Sequence, residues 1–308
     1  MKALVTGCDG FMSSHLCDHL LEKGHEVVGL VRPTPLKNIG YLKNNPKFKL
    51  VIGDVLDYFS VQRATKDVDY VFHGAAISGI NDTRQLVERS WDVNTKGTIN
   101  VLKAAIENKV KRVMYCSSCH IHGFQSIYPI TEEAIPHPVD IYAASKASAE
   151  YICKALMNMY PELDLVISRA FNHFGPRQRD DYLIPRIITQ ALHSDIVNLG
   201  ASSTTRDFTY VGDIVEGYIS IVEKGRRGEI YNLCSGNEKS ISQIATEIVD
   251  LMGFNGEIKW GDDRKADMQR SVGSYEKAKM ELGWEPRISW EDGLLRTIDY
   301  YQNKQMKE

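Results

Sequence analysis

Six short apolar runs, Ala3–Thr6, Glu26–Val31, Lys49–Ile52, Tyr70–Phe72, Arg112–Tyr115 and Leu165–Ser168, follow one another through the first half of the chain. None shows the in/out alternation of a sheet with one wet face, so each has to be covered on both faces. The intervening segments at 13–23, 57–66, 84–108 and 140–160 carry helical periodicity. A right-handed crossover lays one such helix on the sheet each time the chain returns to it. The fold class that meets both demands is α/β, a Rossmann-type, doubly wound parallel sheet.

After Arg169 the rhythm loosens. Helices are predicted at 183–194, 212–224, 240–252, 274–282 and 290–305, with short strands at 196–199, 229–233 and 257–260. Asn172–Asp181 is polar, carries Gly175 and Pro176, and reads as a cleft loop. The expected organisation is a dinucleotide-binding domain over 1–170, with a return at about 208–232. A smaller C-terminal α/β lobe, from 171–207 and 233–308, then lies over the edge where open α/β sheets bind ligands.

The first strand runs directly into Thr6-Gly7-Cys8-Asp9-Gly10-Phe11-Met12-Ser13-Ser14, with a helix following. Glycines in such a turn let backbone approach a pyrophosphate, and the helix N-terminus offers free N–H groups and partial positive charge. Gly7, Gly10, Phe11 and Met12 are therefore candidate cofactor contacts, although a plain tight turn would carry the same glycines. Ser13 stands where a third glycine is usual, so looser packing of helix on strand is expected there. Arg32, not an acid, ends the second strand. Arginine at that place accommodates a ribose 2′-phosphate and favours NADP over NAD, unless it is merely solvated. Asp54 and Val55 after the third strand are read as neighbours of the adenine, and Ala75 and Ala76 after the fourth as leaving room for the cofactor.

Tyr142 and Lys146 open a strong helical pattern at i,i+4 and so share a face. A phenol ordinarily titrates near pH 10, and bringing it to about 7 takes roughly 4 kcal/mol of preferential stabilisation of the phenolate. A lysine ammonium beside it can supply part of that, making the pair a general acid/base. Ser117 and Ser118 end the preceding strand and bring hydroxyls to the same sheet edge, unless they only cap the turn. In the C-terminal part, Arg206, Arg264 and Arg177 can each give forked, charge-assisted bonds to phosphate oxygens. Arg264 sits in an Asp262-Asp263-Arg264-Lys265 run that also reads as a solvated loop.

Charge and composition exclude other classes. The formal charge is −3 with acids and bases interspersed, leaving no basic stripe to follow a nucleic acid. No apolar run approaches the roughly 20 residues of a membrane span. Six scattered cysteines, with residues 1–6 already reading as a buried strand rather than a leader, point to a reducing cytoplasm. The lone Cys116–Cys119 pair lacks partners at zinc-ligand spacing, so no metal is expected.

With these residues together, the chain resembles the extended short-chain dehydrogenase/reductase family, in its nucleotide-sugar epimerase/dehydratase branch. The resemblance spans Thr6–Gly10, Asp54, His73–Ala76, Asp92–Asn94, Ser117–Ser118, Tyr142/Lys146, Arg169–Pro176, Arg206–Phe208 and Leu282–Trp284. It implies Tyr142 as acid/base, Lys146 holding ribose and phenolate, and Ser118 at the sugar hydroxyl. It further implies Asn94 and Phe171 beside an NAD or NADP cofactor, and Asn172, Arg206 and Arg264 at the nucleotide diphosphate. A homodimer through the helices near 84–108 and 140–160 is implied as well.

Phe171–His173, Val31–Arg32 and Trp284–Pro286 look most like GDP-mannose dehydratases and GDP-keto-sugar reductases. The 4,6-dehydratases of the family carry a Thr and, two residues on, a Glu that removes the C5 proton; Ser118 and His120 stand here. Hydride transfer at sugar C4, as a 4-epimerase or 4-keto reductase, is therefore the expected activity. A dehydratase using His120 as base is the alternative, and a non-enzymatic dinucleotide sensor a remote one.

Overall fold

The computed structural model describes residues 1–261 and 268–305. In chain order its elements are β1 (Lys2–Thr6), α1 (Phe11–Glu22), β2 (Glu26–Val31), β3 (Phe48–Ile52), α2 (Tyr58–Ala64), β4 (Tyr70–His73), α3 (Ile80–Gln85) and α4 (Val87–Glu107). Then come β5 (Arg112–Ser118), α5 (Ile141–Met159), β6 (Leu165–Ala170), β7 (Asn172–Phe174), α6 (Leu183–His193), β8 (Ile196–Leu199), β9 (Thr205–Tyr210) and α7 (Val211–Lys224). The chain finishes with β10 (Ile230–Leu233), β11 (Glu238–Ser240), α8 (Ile241–Leu251), β12 (Glu257–Trp260), α9 (Glu276–Leu282) and α10 (Trp290–Gln305).

Seven strands form one parallel sheet in the order β10-β6-β5-β4-β1-β2-β3. Beyond Arg112 every residue of β5 is buried, and so is all of β6, as strands covered on both faces must be. One face packs Leu16 and Leu20 of α1 with Ile214 and Tyr218 of α7; the other packs Val61 of α2, Val101 and Leu102 of α4 and Cys153 of α5. The order reverses at β1, between β2 and β4, and such a switch point opens a crevice at the carboxyl ends of the strands.

The rest of the chain forms a three-stranded sheet, β11-β9-β7, and a two-stranded one, β12-β8. A separate core of Ile184, Ile187 and Ile188 of α6, Ile244 and Ile248 of α8 and Leu294 of α10 supports them. Here the structure corrects the sequence reading. Asn172–Phe174, expected as loop, is strand β7 and pairs with β9, which was not expected as a strand either. In β9 the buried positions are Asp207 and Thr209, so its alternation is written in polar residues and gives no apolar signal. The helix expected over 84–108 is broken at Leu86, whose φ of −121° and ψ of 48° end α3 before α4 begins.

Candidate active site

The site is built where β1, β4, β5 and β6 end. Gly7 follows β1 with φ +68°, and a Cβ on it would lie 2.9 Å from the Cα of Ala75. Only glycine fits that turn without strain. The Gly10 N–H bonds the Gly7 carbonyl at 2.8 Å, and Gly10 caps α1 in an extended conformation. First-turn amides of α1 have no intrahelical acceptor and face the crevice as an anion seat. The looser packing expected at Ser13 does not occur: Ser13 is buried, and its Oγ fills the space in which a Gly74 Cβ would stand, 2.6 Å away. The missing glycine of the helix is supplied by the facing loop.

Asp9, unremarked in the sequence, locks this loop to the segment after β2. Its carboxylate accepts the amides of Asn38 at 2.9 Å and of Ile39 and Lys37 at 3.2 Å. Arg32 stands exposed at the end of β2. Asp54 is engaged by protein, accepting the Leu56 amide at 3.0 Å and pairing with Arg89 at 2.8 Å. Ala75 and Ala76 are part-exposed after β4. Phe11 and Met12 are part-buried, with the Phe11 ring stacked on His173 at 5.5 Å. Val55 and Phe171, expected beside the cofactor, are both buried. Val55 is sealed in the core against Gly97, and Phe171 is 1% exposed, closed in by Gly273 and Cys234.

A buried hydrogen-bond chain ties the loop to α5. The Ala75 amide donates to Thr6 Oγ1 at 3.0 Å, which leaves the Thr6 hydroxyl to donate to His73 Nδ1 at 2.9 Å. His73 Nε2 then carries the proton and donates to Thr98 Oγ1 at 3.0 Å, and Thr98 donates to the Asn94 carbonyl at 2.7 Å. Asn94, expected beside the cofactor, spends its side chain as a brace. Its Oδ1 accepts the Ile77 amide at 2.9 Å, while Nδ2 donates to the Ile77 carbonyl at 3.1 Å and to Ser145 Oγ at 2.9 Å. Ser145 in turn donates to the Tyr142 carbonyl at 2.8 Å.

Asp140 caps α5 by accepting the Ala143 amide at 2.7 Å, which starts the helix at Ile141 and puts Tyr142 in its first turn. Ser118, at the end of β5, acts on the Tyr142 phenol in the direction that favours the phenolate. Burial holds that phenol above its ordinary value, only partly offset by Ser118, so the low-pKa phenolate expected from the sequence is not a property of the protein groups alone. Burial pulls Lys146 down to about 8; its Nζ donates to the Cys116 carbonyl at 2.6 Å and lies 4.9 Å above the Tyr115 ring. Ser117 Oγ is buried without a protein partner. His120 presents its ring edge-on to Tyr142, centroids 5.8 Å apart.

In the C-terminal part, Asn172 Nδ2 is a buried donor without a protein partner, and Arg206 Nη1 donates to the carbonyls of Thr205 at 2.8 Å and Met268 at 2.7 Å. Arg177 faces elsewhere. It pairs with Asp18 of α1 at 2.7 Å and lies over Tyr41, while its Nη1 is buried without a protein partner. Arg264 lies outside the described residues. Among the described residues no group of three or more His, Cys, Asp or Glu side chains is arranged to hold a metal ion. Cys116 and Cys119 are free, buried thiols pushed up to about 12 by burial. No helix among the described residues is long and apolar enough to cross a membrane.

The profile of the NAD dependent epimerase/dehydratase family matches residues 3–234. The chain belongs to this family. It is 31% identical over 316 aligned residues to the dTDP-D-glucose 4,6-dehydratase of Homo sapiens, covering 98% of this chain and 90% of that one. It is 30% identical to the UDP-glucose 4-epimerase of Mycolicibacterium smegmatis, covering 99% of each. Among solved structures, the dTDP-glucose 4,6-dehydratase DesIV of Streptomyces venezuelae, with NAD and TYD bound, superposes with a TM-score of 0.94 at 29% identity, over 100% of this chain and 98% of that one.

This member of the epimerase/dehydratase family is accordingly an enzyme with a Rossmann-type sheet. Its residues fit a dinucleotide: the glycine turn leaves backbone room, the first turn of α1 has open amides, and the Ser117 hydroxyl is buried and unpaired. Gly7→Ala tests the cradle. A side chain at φ +68° and 2.9 Å from backbone is expected to cost about 2 kcal/mol or more of stability. Retained dinucleotide should also be lost; urea unfolding and the absorbance of released cofactor measure the two effects.

Proposed function

We propose that this enzyme acts on a nucleotide-diphosphate hexose by hydride transfer at sugar C4, as a 4-epimerase or a 4-keto reductase. The observation that carries the reading is the gathering of Ser118, at the end of β5, with Tyr142 and, one helical turn on, Lys146 of α5, whose Nζ is tied to the Cys116 carbonyl of β5 at 2.6 Å, while the N-terminus of α1 stands open. When bound, the oxidised dinucleotide would supply a two-electron acceptor for the hydride on C4, and the reduced one a hydride donor to the 4-keto carbon. Ser118 orients the 4-hydroxyl, and Tyr142 takes its proton, or returns one to the 4-keto oxygen in the reverse direction. Lys146, already near 8, contributes an ammonium that favours the phenolate once substrate and cofactor exclude water. Asn172 and Arg206, with Arg264, bind the nucleotide diphosphate, the unpaired Asn172 amide being a ready donor.

Arg32, exposed at the end of β2, supports use of NADP, while DesIV was solved with NAD. A cytoplasmic location is part of the same reading, supported by six free thiols. So is a homodimer through α4 and α5, which leave Val87, Trp91, Tyr151 and Met159 exposed. The second reading is a 4,6-dehydratase, favoured by the His120 ring held against Tyr142.

Mass spectrometry of the cofactor released on denaturation, followed by incubation with UDP-, GDP-, CDP- and dTDP-hexoses, separates these outcomes. An isomer of unchanged mass with retained dinucleotide is the epimerase, and turnover only of 4-keto sugars with NADPH is the reductase. Loss of water that disappears in His120→Ala is the dehydratase. Inertness toward the whole panel would remove the nucleotide-sugar reading.

A further inference from the structure

Arg169, on β6, is 3% exposed, as is Glu150 on α5, one helical turn beyond Lys146. The two are joined as a fork: Nε to Oε1 at 3.0 Å and Nη2 to Oε2 at 2.8 Å. A buried ion pair adds little net stability over an apolar pair, so its place in the fold needs another reason. The third arm of the guanidinium supplies one. Arg169 Nη1 donates to the carbonyl of Glu132, in the segment between β5 and α5.

From Glu132 the connection continues without a break. Its carboxylate accepts the Asn232 amide at 2.7 Å, and Asn232 Nδ2 donates to the Ile130 carbonyl at 3.1 Å. Ile130 bridges to Gly273, its amide donating to the Val272 carbonyl and its carbonyl accepting the Ser274 amide, both at 2.9 Å. The Gly273 amide reaches Asp207 at 3.2 Å. Asp207 also accepts the Ser235 and Gly236 amides, at 2.9 and 3.0 Å. It lies on β9 next to Arg206, whose guanidinium holds the start of the same 268–274 segment at Met268.

We propose that Arg169 is a positioning residue, a strap between the helix that carries Tyr142 and Lys146 and the 268–274 segment against β9, keeping the substrate in register with the acid/base pair. This rests on Tyr142 as the reacting group and on Arg206 as a substrate contact. Misplacement by about 1 Å costs on the order of 100-fold in turnover, which sets the expected effect.

Removing Arg169 alone would leave Glu150 buried and unpaired, which by itself threatens folding. The test is therefore the paired variant Arg169→Met with Glu150→Met, alongside Arg169→Lys, which keeps the charge but cannot fork to Glu150 and also reach Glu132. The paired variant is expected to keep its near-ultraviolet circular dichroism and its NAD affinity within threefold. Its kcat should fall about 100-fold with substrate KM within threefold, and Arg169→Lys should lie about tenfold below the parent. Hydrogen exchange at 130–132 and 272–274 should speed up at least tenfold in both variants.

The exchange measurement decides the strap whatever the substrate proves to be, whereas a parent enzyme inert to nucleotide sugars tells against the functional reading alone. Folded variants with parental exchange in those segments, or with parental kcat, would overturn the proposal. If the paired variant does not fold, Arg169→Lys decides by the same two measurements.

Discussion

Tyr142→Phe is expected to lower kcat about 1,000-fold, a loss of about 4 kcal/mol in transition-state stabilisation. The substitution removes one oxygen and leaves the ring packed against His120, so the helix start capped by Asp140 is undisturbed. Ser118 keeps its contact with the His120 amide at 3.2 Å and stays in place. NAD affinity, measured by calorimetric titration, should stay within threefold, because Tyr142 packs against His120 after β5 whereas the glycine turn follows β1. The loss then appears in kcat and kcat/KM together, the mark of a group that acts in the transition state. A variant with near-parental kcat would show that some other residue moves the proton.

Acid is expected to unfold this enzyme early. Burial, and secondarily Lys146, lowers His73 to about 3; burial, and secondarily Arg169, lowers His122 to about 3. Both are essentially sealed from solvent. Above pH 6.5 each is neutral folded or unfolded and costs nothing. Below it the unfolded chain takes up a proton that the native state refuses, so stability falls with pH until the native imidazoles protonate near 3.

At pH 5 the penalty is about 2 kcal/mol for each histidine, a large part of an ordinary folding free energy. His15, lowered to about 4 chiefly by burial, adds to the loss. His122 isolates the effect, since neither ring nitrogen has a protein partner and its neighbour is the Phe171 ring. His122→Phe should match or exceed the parent in urea at pH 7.5 and lose about 2 kcal/mol less on going to pH 5. An equal loss in both proteins would mean that His122 is already charged in the native state.

The parallel sheet was legible because its evidence is local and repeated: most of its strand residues are apolar, and every crossover up to β6 except that from β2 to β3 carries an α-helix. The glycine turn and the Tyr142/Lys146 spacing were legible for the same reason. Strand β9 was hidden because its buried residues are Asp207 and Thr209, made tolerable only by donors that arrive from Ser235, Gly236 and Gly273. Arg177 read as a phosphate ligand because an arginine in a cleft loop has that chemistry; in the structure it pairs with Asp18 of α1.

By itself, then, the sequence determined the fold class, the glycine turn after β1 and the sharing of one helix face by Tyr142 and Lys146, since each depends on a backbone conformation or a helical period within a few residues. Tertiary structure alone decided how the groups are used. It turned Asn94 into a brace, sealed Phe171 and Val55 into the core, let Gly74 stand in for the glycine missing at Ser13, and joined Arg169 to Glu150 and Glu132. These outcomes depend on which distant residues meet across the sheet register, and no local pattern encodes the partner of a polar atom.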